Sequence, residues 1–519
     1  MWKRVETEEL WKPCKRPFSF YRHIIDRYWA DGSNEPDGSP IHRVCTLVRK
    51  MGVRSVIIQD ALQRPDVIEE IAHLEAAQEE EGQVSACLLT FLSSGVRRER
   101  DYAGIPIDSV MGQLVIITFP MAAGPRSYVF ESILRVPGKK AGTEQLLNNH
   151  VPITREFRID VGGQQHSLNA AYFCQQNGVT SICAHSAVRT LIRTLTQSPV
   201  TVPMLNRLWD YCPLKKLATT DQVMGALRHF GMAPVVYDLT KSTFGSDDSD
   251  VGWDLPALLA DSATPSLLVL GGKKGSDHIV PILGHTMNSD EWHPIGTTLH
   301  RRGADTVSSS SLWTDHLIIH DDMLGSYYCL SKAGLMHSRG SDLAPKLVIA
   351  ILPLNVHVSP SQAEDFARQI LGRLMEDLTR ERLCRGRWWK HIVEKRERRV
   401  FRTTLITRDD YLATLPSDAD LEWIRQYVAD ALPERMWMAE ISVPNIFLGN
   451  RGKLGEILIN AESFPDDDPK NILGAMIAFR LPSVIGWADK QDGGVYAVTQ
   501  WPELGHRTIH APKHHQNWW

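Results

Sequence analysis

After Cys183 the apolar side chains fall at Ala184, Ala187, Val188, Leu191, Ile192 and Leu195. That spacing of i, i+3, i+4, i+7 and i+8 is one helical face, and it predicts a helix over 182–197 with a buried flank. Gly178 supplies a turn just upstream, and Thr180 or Ser181 can cap the helix start. Cys183 then falls in the first turn, where unpaired N–H groups and the positive end of the macrodipole favour a thiolate. A thiol so placed is a candidate nucleophile, and upstream amides can act as oxyanion donors. The same pattern also describes a small buried hydrophobe opening a core helix. The rest of the chain has to decide.

A chain of 519 residues with 43% hydrophobic content can bury several cores and predicts two to four domains. A net charge of −4 gives no general pull toward nucleic acid or anionic lipid. The eight cysteines, at 14, 45, 87, 174, 183, 212, 329 and 384, include no CxxC pair. Neither a zinc ribbon nor a disulfide framework is indicated, and reduced thiols in a cytoplasm are the simplest reading. Met1-Trp2-Lys3-Arg4-Val5-Glu6 is charged and runs into no apolar segment, and runs such as Leu114 to Phe119 are too short to span a bilayer. A soluble cytoplasmic protein without membrane contact is expected.

The overall expectation is an α+β chain in four parts. Residues 1–150 read as an α/β domain: an aromatic and basic leader over 1–35, a turn at 36–40, a helix from Ile41 to Gly52, a strand near Arg54–Gln59, a helix over 65–80, and strands near 84–91 and 113–119. Residues 151–355 form the central domain. Helix signals lead at 168–176, 182–197, 203–211 and 220–230; strand signals follow at 235–237, 266–270, 278–283, 317–320, 327–330 and 347–353. A helical half packed on an antiparallel sheet is the implied arrangement, with 286–313 as a polar insertion long enough for a flap. In the connector 356–432, Ser359-Pro360-Ser361-Gln362 opens an amphipathic helix through Phe366, Ala367, Ile370, Leu371, Leu374 and Leu378. It runs into bases interleaved with Trp388 and Trp389 over 382–402. These could grip a nucleic acid backbone, although Glu381, Glu394 and Glu397 balance them and a solvated helix face is preferred. Another helix is expected over 421–432, and residues 433–519 read as a β-rich C-terminal domain.

A cysteine nucleophile needs a base, and the base needs an orienting group. His278 opens the strand His278-Ile279-Val280-Pro281-Ile282-Leu283, and a later strand, His316 to His320, ends in Asp321-Asp322. A histidine opening one strand and a carboxylate closing its antiparallel neighbour meet at the same end of a sheet. His285 competes for the base but closes the strand that His278 opens. Asp322 competes with Asp321, and alternation points only one of them at the histidine. Cys174 competes with Cys183 from inside a helix-like run. Of the six histidines at 278, 285, 293, 300, 316 and 320, His316 and His320 have HxxxH spacing but lie on a predicted strand and so share no helical face, and neither metal nor cofactor is expected.

In its order of Gln176, Cys183, His278-Ile279-Val280 and Ile318-Ile319-His320-Asp321, with Gly325-Ser326-Tyr327 after it, the region 160–355 resembles the papain-like cysteine peptidase superfamily, most closely its bacteriocin-processing branch. The resemblance implies Cys183 as nucleophile, His278 as general base and Asp321 as orienter, with a glutamine side chain and the Cys183 N–H forming the oxyanion hole. Gln176 and Gln175 lie seven and eight residues before Cys183, against about six in the family, where Asn177 stands. The implied function is cleavage of a specific protein or peptide by thiol acyl transfer, with the flanking domains recognising substrate or partner. Deamidation, transglutamination and modifier removal use the same triad. A catalytically inactive scaffold, touching nucleic acid through 382–402, is the reading from a different class.

Overall fold

The computed structural model describes residues 3–4, 9–11, 22–30, 40–96, 104–137, 148–196, 198–210, 218–240, 251–272, 277–287, 307–336, 343–384, 387–393, 399–414, 432–450, 452–463, 469–488, 496–500 and 509–510. The expected helix over 421–432, His293, His300 and most of the polar insertion lie outside the described residues, as do Cys14, Cys212, Arg385 and Lys395–Arg398.

After the short strands Lys3–Arg4 and Glu9–Trp11, which join the edge of the first sheet, helix α1 (Pro40–Lys50) leads into strand β1 (Ser55–Asp60), and α2 (Pro65–Ala77) connects it to β2 (Gln83–Leu92). Strands β3 (Val110–Phe119), β4 (Arg126–Arg135), β5 (Arg155–Val161) and β6 (Gln164–Phe173) follow. Their order is β1-β2-β3-β4-β6-β5. Every pairing along it is antiparallel, so α2 is no parallel βαβ crossover. The expected boundary at residue 150 falls inside this sheet. The expected helix at 168–176 is in fact the end of β6. His166, Leu168 and Ala170 point inward and Gln165, Ser167 and Asn169 outward, a period of two that the apolar run Ala170–Phe173 masks.

Helices α3 (Cys183–Leu195), α4 (Val202–Trp209) and α5 (Thr220–His229) come next, then β7 (Ala233–Asp238) and α6 (Val251–Asp261). The second sheet is completed by β8 (Ser266–Gly272), β9 (His278–Met287), β10 (Thr314–Asp321), β11 (Gly325–Ser331) and β12 (Leu343–Leu352). It runs β7-β12-β8-β9-β10-β11, antiparallel throughout. A short strand, Asn148–His150, pairs with the end of β9. Gly284 is obligatory there, because a Cβ would lie 2.0 Å from the His150 carbonyl oxygen. Helix α3 is packed between β6 of the first sheet and β9 of the second. Val56, Phe91, Leu114, Phe173, Val188, Leu191, Leu283 and Ile318 accordingly share one core. Tyr327 bridges the sheets, its hydroxyl donating to Leu134 O and accepting from Ala171 N, each at 2.9 Å.

The long helix α7 (Pro360–Arg380) starts with the expected box: Ser359 Oγ accepts from Gln362 N, and Gln362 Oε1 from Ser359 N. Its buried face, Ala367, Ile370, Leu371, Leu374 and Leu378, covers a third, mostly antiparallel sheet. That sheet runs in sequence order through β13 (Arg399–Thr407), β14 (Arg435–Ser442), β15 (Gly455–Asn460), β16 (Met476–Leu481), β17 (Val484–Ala488) and β18 (Tyr496–Gln500), and the short strand Val307–Ser309 pairs parallel with β13 at its edge. The chain is α+β, and its sheets are mostly antiparallel. Among the described residues no helix is long and apolar enough to cross a membrane.

Two members of the basic run, Arg399 and Arg402, are buried, whereas Arg382 and Lys390 are exposed. Arg402 is 1% exposed, with ion pairs to Asp261 at 3.7 Å and Glu440 at 3.4 Å. Arg399 is buried beside the Met375 sulfur. Lys453, Glu456 and Arg480 extend the same buried charge network.

Candidate active site

Strand pairing brings the candidate residues together. Ile282 of β9 faces Ile319 of β10, so running back along one strand and forward along the other sets His278 against the turn after Asp321. His278 Nε2 donates to Asp321 Oδ2 at 3.2 Å. Asp321 Oδ1 accepts from the Met323 and Leu324 amides at 2.8 and 3.0 Å, which fixes the carboxylate's plane. Nε2 is thus committed to Asp321, and the Cys183 thiol is near enough to His278 to help raise the pKa of the ring. Cys183, at the first position of α3, is partly exposed. Its N–H belongs to the helical turn that has no intrahelical acceptors.

The electrostatics follow from this packing. Burial disfavours a charged His278. The Asp321 hydrogen bond, the thiol and the charges of Asp321 and Asp322 outweigh burial and raise its pKa from 6.5 to about 10. Burial likewise favours neutral Asp321, but His278 and the two amides hold it below the usual carboxylate range. Asp322 differs. Its Oδ1 is 3.7 Å from His278 Nε2, both carboxyl oxygens lack a hydrogen-bond donor, and burial reinforced by the Asp321 charge lifts it to about 7. Asp321 therefore orients the ring, and Asp322 lines a small cleft with Cys174, Cys183, Ser186, Thr190 and His320.

The segment before Cys183 is bound almost amide by amide. Asn177 Oδ1 accepts from the N–H groups of Val179, Thr180 and Ser181 at 2.8–3.1 Å. Ser181 Oγ accepts from Asn177 N. Thr180 and Ser181 thus serve this turn and do not cap α3; Ile182 stands at the N-cap, and its N–H donates to His185 Nδ1 at 3.2 Å. His185 Nε2 donates to Asn206 Oδ1 at 2.7 Å, and burial holds its pKa down at about 3, so the ring is neutral. Gly178 takes φ 75°, a left-handed conformation that glycine adopts without strain.

Of the oxyanion candidates, Asn177 is saturated, its Nδ2 donating to Glu70 and Thr180. Gln175 is paired with Val129, whose N–H donates to Gln175 Oε1. Gln176 is half-buried and its side chain has no hydrogen bond to another described residue. Cys174 is fully buried against Ser186 O, with its pKa raised by burial, and cannot compete as nucleophile. His285 sits far along β9 beside Asp261 at 3.2 Å. His278, Asp321 and Asp322 each bring one donor atom within 4.8 Å of the others, a set that could hold a cation where the sequence predicts none. Sequence reasoning missed His185 and Asn206; the Asn177-x-x-x-Ser181 spacing, which permits an Asx turn, was the available signal. No family model, curated protein or solved structure matches this chain.

Proposed function

We propose that the chain is a cytoplasmic cysteine peptidase-like hydrolase that cleaves a specific protein or peptide through Cys183, His278 and Asp321, in the manner of the papain-like superfamily. The observation that carries this reading is the His278–Asp321 hydrogen bond at the mouth of a helix whose first residue is the Cys183 thiol. A histidine held cationic by a buried carboxylate stabilises a thiolate beside it. The thiolate would attack the scissile carbonyl, and the Cys183 N–H with Gln176 would bind the oxyanion. His278 would then protonate the departing amine, leaving a thioester, and deprotonate the water that hydrolyses it. The burial of Arg399 and Arg402 takes these two bases out of any nucleic-acid contact through 382–402.

Incubation with a peptide mixture, read by mass spectrometry beside Cys183→Ala, tests the reading. New termini that vanish in the variant support peptide-bond hydrolysis. Conversion of glutamine to glutamate without cleavage would replace peptidase by deamidase. Absence of Cys183-dependent change would contradict acyl-transfer chemistry.

A further inference from the structure

Two side chains one turn apart on α2 reach the segment that carries the nucleophile. Glu70, 2% exposed, accepts at a single oxygen from Tyr128 Oη at 2.8 Å and from Asn177 Nδ2 at 2.9 Å. His73 Nε2 is 2.9 Å from Asn206 Nδ2, which also donates to Thr180 O at 3.0 Å. Asn206 Oδ1 in turn holds His185, and His185 holds the Ile182 N–H. Glu70 thus grips the start of 177–182 and His73, through Asn206, its end.

The direction of each bond is determined. Asn177 Oδ1 faces three backbone N–H groups and can only accept, so Nδ2 must face Glu70. A flipped amide would set NH2 against three donors. His73 meets an Nδ2, so its Nε2 accepts and the ring is neutral while that bond stands. Every bond in the chain from α2 to the Ile182 N–H, one residue before Cys183, therefore has a fixed sense, and an acyl-transfer site depends on such orientation.

We propose that Glu70 and His73 are positioning residues for the nucleophile, so that α2, which lies against the first sheet and outside the catalytic sheet, sets the rotation of the turn presenting the Cys183 thiol and N–H. The inference rests on Cys183 being the nucleophile. Neither residue touches a substrate: each acts through 177–182.

The test exchanges donor and acceptor at Glu70–Asn177 and reads the rate of iodoacetamide alkylation at Cys183 by intact mass and peptide mapping. Asn177→Asp keeps the three accepted amide bonds but places an acidic oxygen against Glu70. It should slow alkylation at least tenfold in protein with an unchanged far-ultraviolet spectrum. Adding Glu70→Gln, which can donate to that oxygen, should recover at least half of the loss on a logarithmic scale. Glu70→Gln alone keeps an accepting oxygen and should stay within threefold of wild type. If Asn177→Asp does not fold, Glu70→Ala is read in its place, with the same tenfold expectation. Folded Asn177→Asp or Glu70→Ala protein alkylated at the wild-type rate would overturn the inference. Wild-type Cys183 no more reactive than the other cysteines would instead overturn the underlying assignment of the nucleophile.

Discussion

Asp321→Asn preserves the shape of the carboxylate and its acceptance of the Met323 and Leu324 amides, while removing the charge facing His278. Wild-type His278 rises from 6.5 to about 10 in spite of burial. That rise of about 3.5 corresponds to about 5 kcal/mol, at roughly 1.36 kcal/mol per pH unit. The raising influences are the Asp321 hydrogen bond, the thiol, and the charges of Asp321 and Asp322, with the Asp321 bond foremost. Losing the two that belong to Asp321 should remove about half or more, so the His278 pKa should fall by at least about 2. Nitrogen-15 NMR of the histidine rings across pH reads it directly. The same group leaves a stability signature. His278 binds its proton more tightly folded than unfolded, so its contribution is complete below pH 6.5 and is lost as pH rises through about 10. Wild type should therefore lose urea stability over that interval, and Asp321→Asn should lose less. An Asp321→Asn ring that still titrates within one pH unit of wild type would refute the assignment of Asp321 as the orienting partner.

Further outcomes follow from the same geometry. Asp322 is held near 7 mainly by burial, so it binds a proton more tightly folded than unfolded, and its ionisation drains stability as pH rises from 3.8 through 7. Asp322→Asn should raise urea stability at pH 8, by up to about 4 kcal/mol, and change it little at pH 4; an equal effect at both values would contradict this. Arg402→Ala strips a partner from buried Asp261 and Glu440 and should cost about 3 kcal/mol or more in denaturant unfolding. Cys183-dependent turnover should survive EDTA and fall on adding zinc, because a cation among His278, Asp321 and Asp322 would occupy the base; loss of activity in EDTA would favour a metal enzyme.

Much of this arrangement was legible in the sequence because it rests on local periodicity. The α3 face, the Ser359–Gln362 capping box and the strands opening at His278 and closing at Asp321 all follow from short-range pattern. What escaped depends on distant partners. The strand Gln164–Phe173 resembled a helix because a strand end enclosed between two layers loses its alternation. The helix start lacks a hydroxyl cap because Thr180 and Ser181 are drawn into the Asn177 turn, while His185 bonds back to Ile182. Glu70 is 107 residues from Asn177, and Arg402 reads as a surface base until Asp261 and Glu440 close around it. Charge runs disclose composition, not which members are buried.

The most direct test of the central claim is the rate of iodoacetamide modification at Cys183 at pH 6, in wild type and in His278→Ala, by intact mass and peptide mapping. An activated thiol paired with His278 predicts selective modification of Cys183 in wild type and a clear slowing in the variant. Modification of Cys183 no faster than that of the other cysteines, or at the same rate in His278→Ala, would contradict the account.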